Sequence, residues 1–105
     1  MLLPEHKFLV EKVFQPESTQ NNNHKYQRIV LKKPGFTDEF GEKKGKDDLF
    51  DCRVWNKKID NVPPGLKAGD KVKVMLSLNG REYLDEGRNE IGYNLQLSIG
   101  KIELL

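Results

Sequence analysis

Cysteine, alanine and tryptophan each occur once in the 105 residues, at Cys52, Ala68 and Trp55. A lone cysteine excludes an internal disulfide and a multi-cysteine zinc site. One alanine beside 7 valines and 5 isoleucines is poor material for helices and good material for strands. No apolar run approaches the roughly 20 residues that span a bilayer. The start, Met1-Leu2-Leu3-Pro4-Glu5-His6-Lys7, lacks the basic beginning and long apolar stretch of a signal peptide, so the expected address is the cytoplasm, without membrane contact. A large excess of one charge is also missing: Lys+Arg 18 against Asp+Glu 16 leaves +2. Any face for a polyanion must come from where the charges are placed. The length fits one domain over 1–105.

What is present is alternation. Five stretches read as strands: Lys7 to Gln15, Lys25 to Lys33, Leu49 to Trp55, Lys71 to Leu78, and Tyr93 to Leu104. Pro16 to His24 is a polar loop, and Phe36 to Asp48 is a long, charged connection. Between the third and fourth strands, Pro63-Pro64-Gly65 allows at most a turn or two of helix. Asn79-Gly80 reads as a hairpin turn or a bulge, Asp85 to Gly92 as a second flexible loop, and Gly100 as a bend. Five strands with one apolar side each make a small closed or nearly closed barrel, an all-β fold.

The apolar parity goes inward and includes Cys52 and Phe50. The other parity carries Arg28, Lys32, Arg53, Trp55, Lys71, Lys73, Arg81 and Tyr83, with Asp51 the only acid placed among them. Such a surface suits a single-stranded nucleic acid, whose phosphates take the cations and whose bases stack on the rings. Lys and Arg on solvent-facing strand positions are also ordinary decoration. Catalysis finds little to work with. His6 and His24 have no patterned ligands beside them, an inward Cys52 is an inert thiol, and Gly41 to Lys46 lacks a phosphate-binding pattern. No enzyme activity, cofactor or metal is expected.

From Phe50 onward an ordered set of motifs stands out: Val54-Trp55-Asn56-Lys57, a connection ending in Gly69-Asp70, then Lys71-Val72-Lys73-Val74 and Arg81-Glu82-Tyr83. This set resembles the bacterial single-stranded DNA-binding proteins, with Lys7 to Glu17 and Gln27 to Lys32 fitting the first two strands more loosely. The resemblance implies a five-stranded OB-fold Greek-key barrel with long L12 and L45 loops. It also implies binding of single-stranded DNA with little sequence specificity, in replication, recombination or repair. Trp55 and Tyr83 fall on base-stacking positions, and Phe36 falls where a third aromatic is common. A homo-oligomer, dimer or tetramer, is implied through the first strand, where Leu9 and Val13 point outward. Three departures stand out: Pro63-Pro64 replaces a helix, Asn56 stands where Gly is usual, and the chain ends at Leu105 without the linker and acidic tip. The short, tail-less form leaves partner recruitment open, and Leu104 and Leu105 are expected to pack on the barrel. An RNA-binding barrel, or an OB module for protein interaction with Trp55 and Tyr83 as anchors, fits the same residues.

Overall fold

The computed structural model describes residues 1–19, 23–37 and 39–105, with the backbone alone described at Phe36, Thr37, Lys43 and Lys44. Among the described residues eight strands follow one another: β1 (His6–Val13), β2 (Glu17–Ser18), β3 (Lys25–Lys33), β4 (Phe36–Thr37), β5 (Lys43–Lys44), β6 (Asp48–Trp55), β7 (Lys71–Asp85) and β8 (Glu90–Leu104). A short 3-10 helix, Asn56–Asn61, lies between β6 and β7. Its length matches the two turns that Pro63-Pro64 permits. β4 and β5 form a separate small hairpin.

The main sheet runs β1-β7-β8-β6-β3-β2, and a further β1–β3 pairing closes it on itself, with β2 beside the closure. Five strands therefore form a ring: β1, β7, β8, β6 and β3. All pairings around it are antiparallel except β6 with β8, which pair in parallel through Cys52↔Leu97 and Arg53↔Ser98. β1 closes the ring by serving two partners. His6 to Leu9 pair with β7, and Leu9 to Val13 pair with β3. The register slips between Val10 and Lys12, so Glu11 is the extra residue of a bulge that bends the strand from one partner to the other.

The interior takes one parity from each ring strand: Phe8 and Val10, Ile29 and Leu31, Cys52 and Val54, Val72, Val74 and Leu76, and Ile99 and Ile102. The last pair is three residues apart because β8 skips a register step at Gly100, where Leu76 faces Ile99 and Met75 faces Lys101. Ile59, Val62 and Leu66 from the β6–β7 connection pack against this core, as does Phe50, which meets Phe8 edge-on at 5.7 Å. Asn56 starts that connection at φ 52, in the left-handed region that Gly and Asn tolerate best. That backbone requirement accounts for Asn where Gly is usual.

Several expectations are corrected. Asn79-Gly80 is neither turn nor bulge, because Gly80 pairs in register with Leu95 in mid-strand. The Asp85 to Gly92 segment is not a long loop. β7 and β8 stay paired out to Asp85↔Glu90, so the expected L45 loop is a two-stranded arm closed by a four-residue turn. Among the described residues no strand flanks this arm from Asn79 to Gln96, and it lengthens the molecule, whose long axis is 52 Å. Val13 packs toward the core instead of outward, whereas Leu9, between the inward Phe8 and Val10, keeps the outer side and is half-buried. Leu104 and Leu105 are held by backbone pairing to Val72 and Lys71, yet their side chains stay exposed. Among the described residues no helix is long and apolar enough to cross a membrane.

Three outcomes follow from this packing. Ile29→Ala, at a fully buried position, should cost about 2–5 kcal/mol in urea unfolding, whereas Leu49→Ala on the outer side should change little. Asn56→Val should cost about 1–3 kcal/mol for its left-handed backbone, and more than Asn56→Gly, which keeps that backbone unstrained. Burial pushes the Cys52 thiol up to about 12, so at pH 8 an aromatic disulfide reagent should label it only after denaturant is added.

Candidate nucleic-acid interface

The outer parity of β3 and β6 places Tyr26 directly opposite Trp55 and Arg28 directly opposite Arg53. The rings of Tyr26 and Trp55 tilt toward each other at 5.4 Å, and His24 meets Trp55 edge-on at 6.5 Å. Two arginines facing each other repel, and here they part. Arg28 leans toward Asp51 and donates twice to its carboxylate, at 3.2 and 3.0 Å. This pairing raises the Arg28 pKa above its ordinary value. Arg53 leans the other way, over the Tyr26 ring at 4.7 Å and the Trp55 ring at 5.8 Å. A cation over two flat rings is a local feature suited to a base beside its phosphate. The Tyr26 hydroxyl donates to Glu17 at 2.9 Å, which raises its pKa and keeps the ring neutral.

Asn56 holds the approach to this cluster. Its Oδ1 accepts from the Lys25 backbone N–H at 3.0 Å, and its Nδ2 lies 3.3 Å from His24 Nδ1. Between Trp55 and the arm is a cleft of about 540 Å³. His24, Trp55 and Asn56 line one part of it, and Asn79, Arg81, Asn94, Gln96 and Ser98 line the rest. Lys57 and Lys58 line an adjoining cleft that also touches Trp55. Tyr83 stands farther out on the same side of the arm, half exposed, with its ring across Gly92. A Cβ at Gly92 would overlap that ring, so the glycine is what lets it lie there.

The outward residues named from the sequence divide into groups. Trp55 and Arg81 line the cleft, Arg53 lies over the Trp55 ring, and Tyr83 stands beyond them. Arg28, Lys32 and Lys73 have carboxylate partners: Asp51, Glu11 at 3.4 Å and Glu5 at 3.3 Å. Glu11 and Glu5 come from β1 and the segment before it, so Asp51 is not the sole acid on that surface. Lys71 pairs with Leu9 and borders the chain end at Leu105, ten residues of strand from Arg81, or about 30 Å. Phe36 pairs through its backbone with Lys44, and its side chain lies outside the described residues.

Tyr26, His24 and Lys58 join the site without having been singled out, and Lys57 joins it from the Val54-Trp55-Asn56-Lys57 motif. For Tyr26 the signal was present, since it shares the outward parity of Arg28. For His24 it was not, because only the fold brings the segment before β3 to Trp55, whereas Lys57 and Lys58 follow Trp55 closely in the chain. Among the described residues no group of His, Cys, Asp or Glu is arranged to hold a metal ion.

No family model matches the sequence, and no curated protein matches it. Solved structures do. The mitochondrial single-stranded DNA-binding protein Rim1 of S. cerevisiae has a TM-score of 0.68 at 15% identity, over 100% of this chain and 94% of that one. The Plasmodium falciparum SSB, in complex with ssDNA, has 0.64 at 20%, over 99% and 91%. The small single-stranded DNA-binding protein of Streptomyces coelicolor has 0.61 at 15%, over 100% and 94%. At such identities the likeness speaks for the fold, and together with the ring order and the parallel β6–β8 pairing it makes this chain a five-stranded OB-fold Greek-key barrel.

Proposed function

We propose that the chain binds single-stranded DNA with little sequence preference along the bound strand, in replication, recombination or repair. The observation that carries this reading is the Tyr26–Trp55 pair on the outer side of β3 and β6, with the Arg53 guanidinium over both rings. Unpaired bases stack on such rings whatever their identity, and nearby cations take the phosphates. Arg53, Lys57, Lys58 and Arg81 have no carboxylate partner among the described residues, so their charge is available to a strand passing Trp55. Tyr83 extends the track along the arm. Lys71, and Arg28, Lys32 and Lys73 on their ion pairs, serve a longer strand at its margins. The P. falciparum protein, solved with ssDNA, has the same fold and lends support. Association into a homo-oligomer is part of the proposal and is read by sedimentation.

A protein-interaction module is the second reading. It is favoured by the opposite side of the arm, where Leu84, Ile91, Tyr93 and Leu95 are 62%, 57%, 80% and 67% exposed. One titration separates the readings. Stacking on the only tryptophan should quench most of its emission when oligo(dT) is added at low salt, and oligo(U) tests RNA in parallel. Unchanged emission and anisotropy with both would defeat strand binding.

Affinity should fall with salt at a log–log slope of about −0.7 per phosphate neutralised. Trp55→Ala and Tyr83→Ala should each weaken binding by about 1–3 kcal/mol and leave that slope alone. Arg53→Ala should make the slope shallower by about 0.7.

A further inference from the structure

The cleft between Trp55 and the arm has a wall of a different chemistry from a stacking and charge track. Asn79 pairs directly with Gln96 across the arm, and Arg81 with Asn94. Strand parity turns all four toward the cleft, beside Ser98. Asn79 and Gln96 are half-buried. Other amides near the site are occupied: Asn56 Oδ1 accepts from Lys25, and Gln27 Nε2 donates to Phe14. Among the described residues, the side chains of Asn79, Asn94 and Gln96 have no hydrogen-bond partner. Three amides with donors and acceptors unspent thus stand across a cleft from an indole.

Rings and cations accept any base, because every base has a flat face and every nucleotide a phosphate. An amide differs, since it presents a donor and an acceptor side by side, the pattern of a base edge. Unpaired strands expose those edges, and single-strand readers use them. Alternation along the unbroken ladder fixes the orientation of the arm. It turns its amide side to the cleft and leaves Leu84, Ile91, Tyr93 and Leu95 on the side away from it. Burial of apolar surface alone would favour the reverse.

We propose that this cleft reads one nucleobase of the bound strand by its hydrogen-bonding edge, with the base stacked at Trp55 and its edge on Asn79, Asn94 and Gln96. The inference rests on the strand-binding reading above and adds a preference at one nucleotide position. The test compares oligo(dT), oligo(dC) and oligo(dA) of equal length, by anisotropy at one salt concentration. The proteins are the wild type and the double variant Asn94→Ala/Gln96→Ala, each shown by circular dichroism to be folded. The wild-type affinities should spread by about tenfold or more across the three. In the double variant the spread should shrink to within about threefold, with the salt slope unchanged. Equal wild-type affinities would overturn the edge reading and leave strand binding intact. So would a double variant that binds all three more weakly by one common factor with the spread preserved. Failure of the wild type to bind any of the three would overturn both readings.

Discussion

A sheet of five strands becomes a barrel only if one strand pairs with both ends of it, and here that strand is β1. Its bulge at Glu11 lets eight residues face β7 at one end and β3 at the other. Without that bend the sheet would keep two open edges, and the alternating apolar side chains would have no common interior. With it, Phe8 and Val10 complete a core already supplied by Ile29, Leu31, Cys52, Val54, Val72 and Val74. The outer side of the sheet is settled by the same closure. Parity that sends Cys52 and Val54 inward must send Arg53 and Trp55 outward, next to Tyr26 on β3.

Charge on that outer side is arranged locally. The net charge of +2 carries little information. What matters is which cations are already engaged. Arg28, Lys32 and Lys73 hold carboxylates, and such exposed pairs contribute little to stability while lowering the local field. Among the described residues, the cations that border the Trp55 clefts carry no such partner. The facing arginines at 28 and 53 show how: one is drawn to Asp51, and the other is left over the rings.

The arm is the second consequence of strand pairing. β7 and β8 keep their alternation long after the barrel has ended, because nothing in Asn79-Gly80 interrupts the ladder. Leu84, Ile91, Tyr93 and Leu95 therefore keep the inward parity with no interior beneath them. The polar parity of the same ribbon extends the barrel's outer side and builds the far wall of the Trp55 cleft. One hairpin thus carries an amide face beside the rings and an unburied apolar face on its back.

Strands, their inward parity, the limited helix after Asn56 and the bend at Gly100 were legible in the sequence, because each depends on near neighbours: alternation, proline and glycine. The outward set containing Arg53, Trp55, Arg81 and Tyr83 was legible for the same reason. Alternation assigns a side of a strand, but it does not say whether anything covers that side or who stands across from it. Hence Leu95 shares the inward parity and is exposed, Val13 read as outward and packs inward, and Glu11 and Glu5 add acids from the first strand and the segment before it to the side where Asp51 stands. Only the closed ring decided that Tyr26 meets Trp55, that Asn56 pins His24 and Lys25, and that three amides of the arm face the indole. These are contacts between residues two dozen or more positions apart in the chain, set by pairing register and strand closure, which no local pattern encodes.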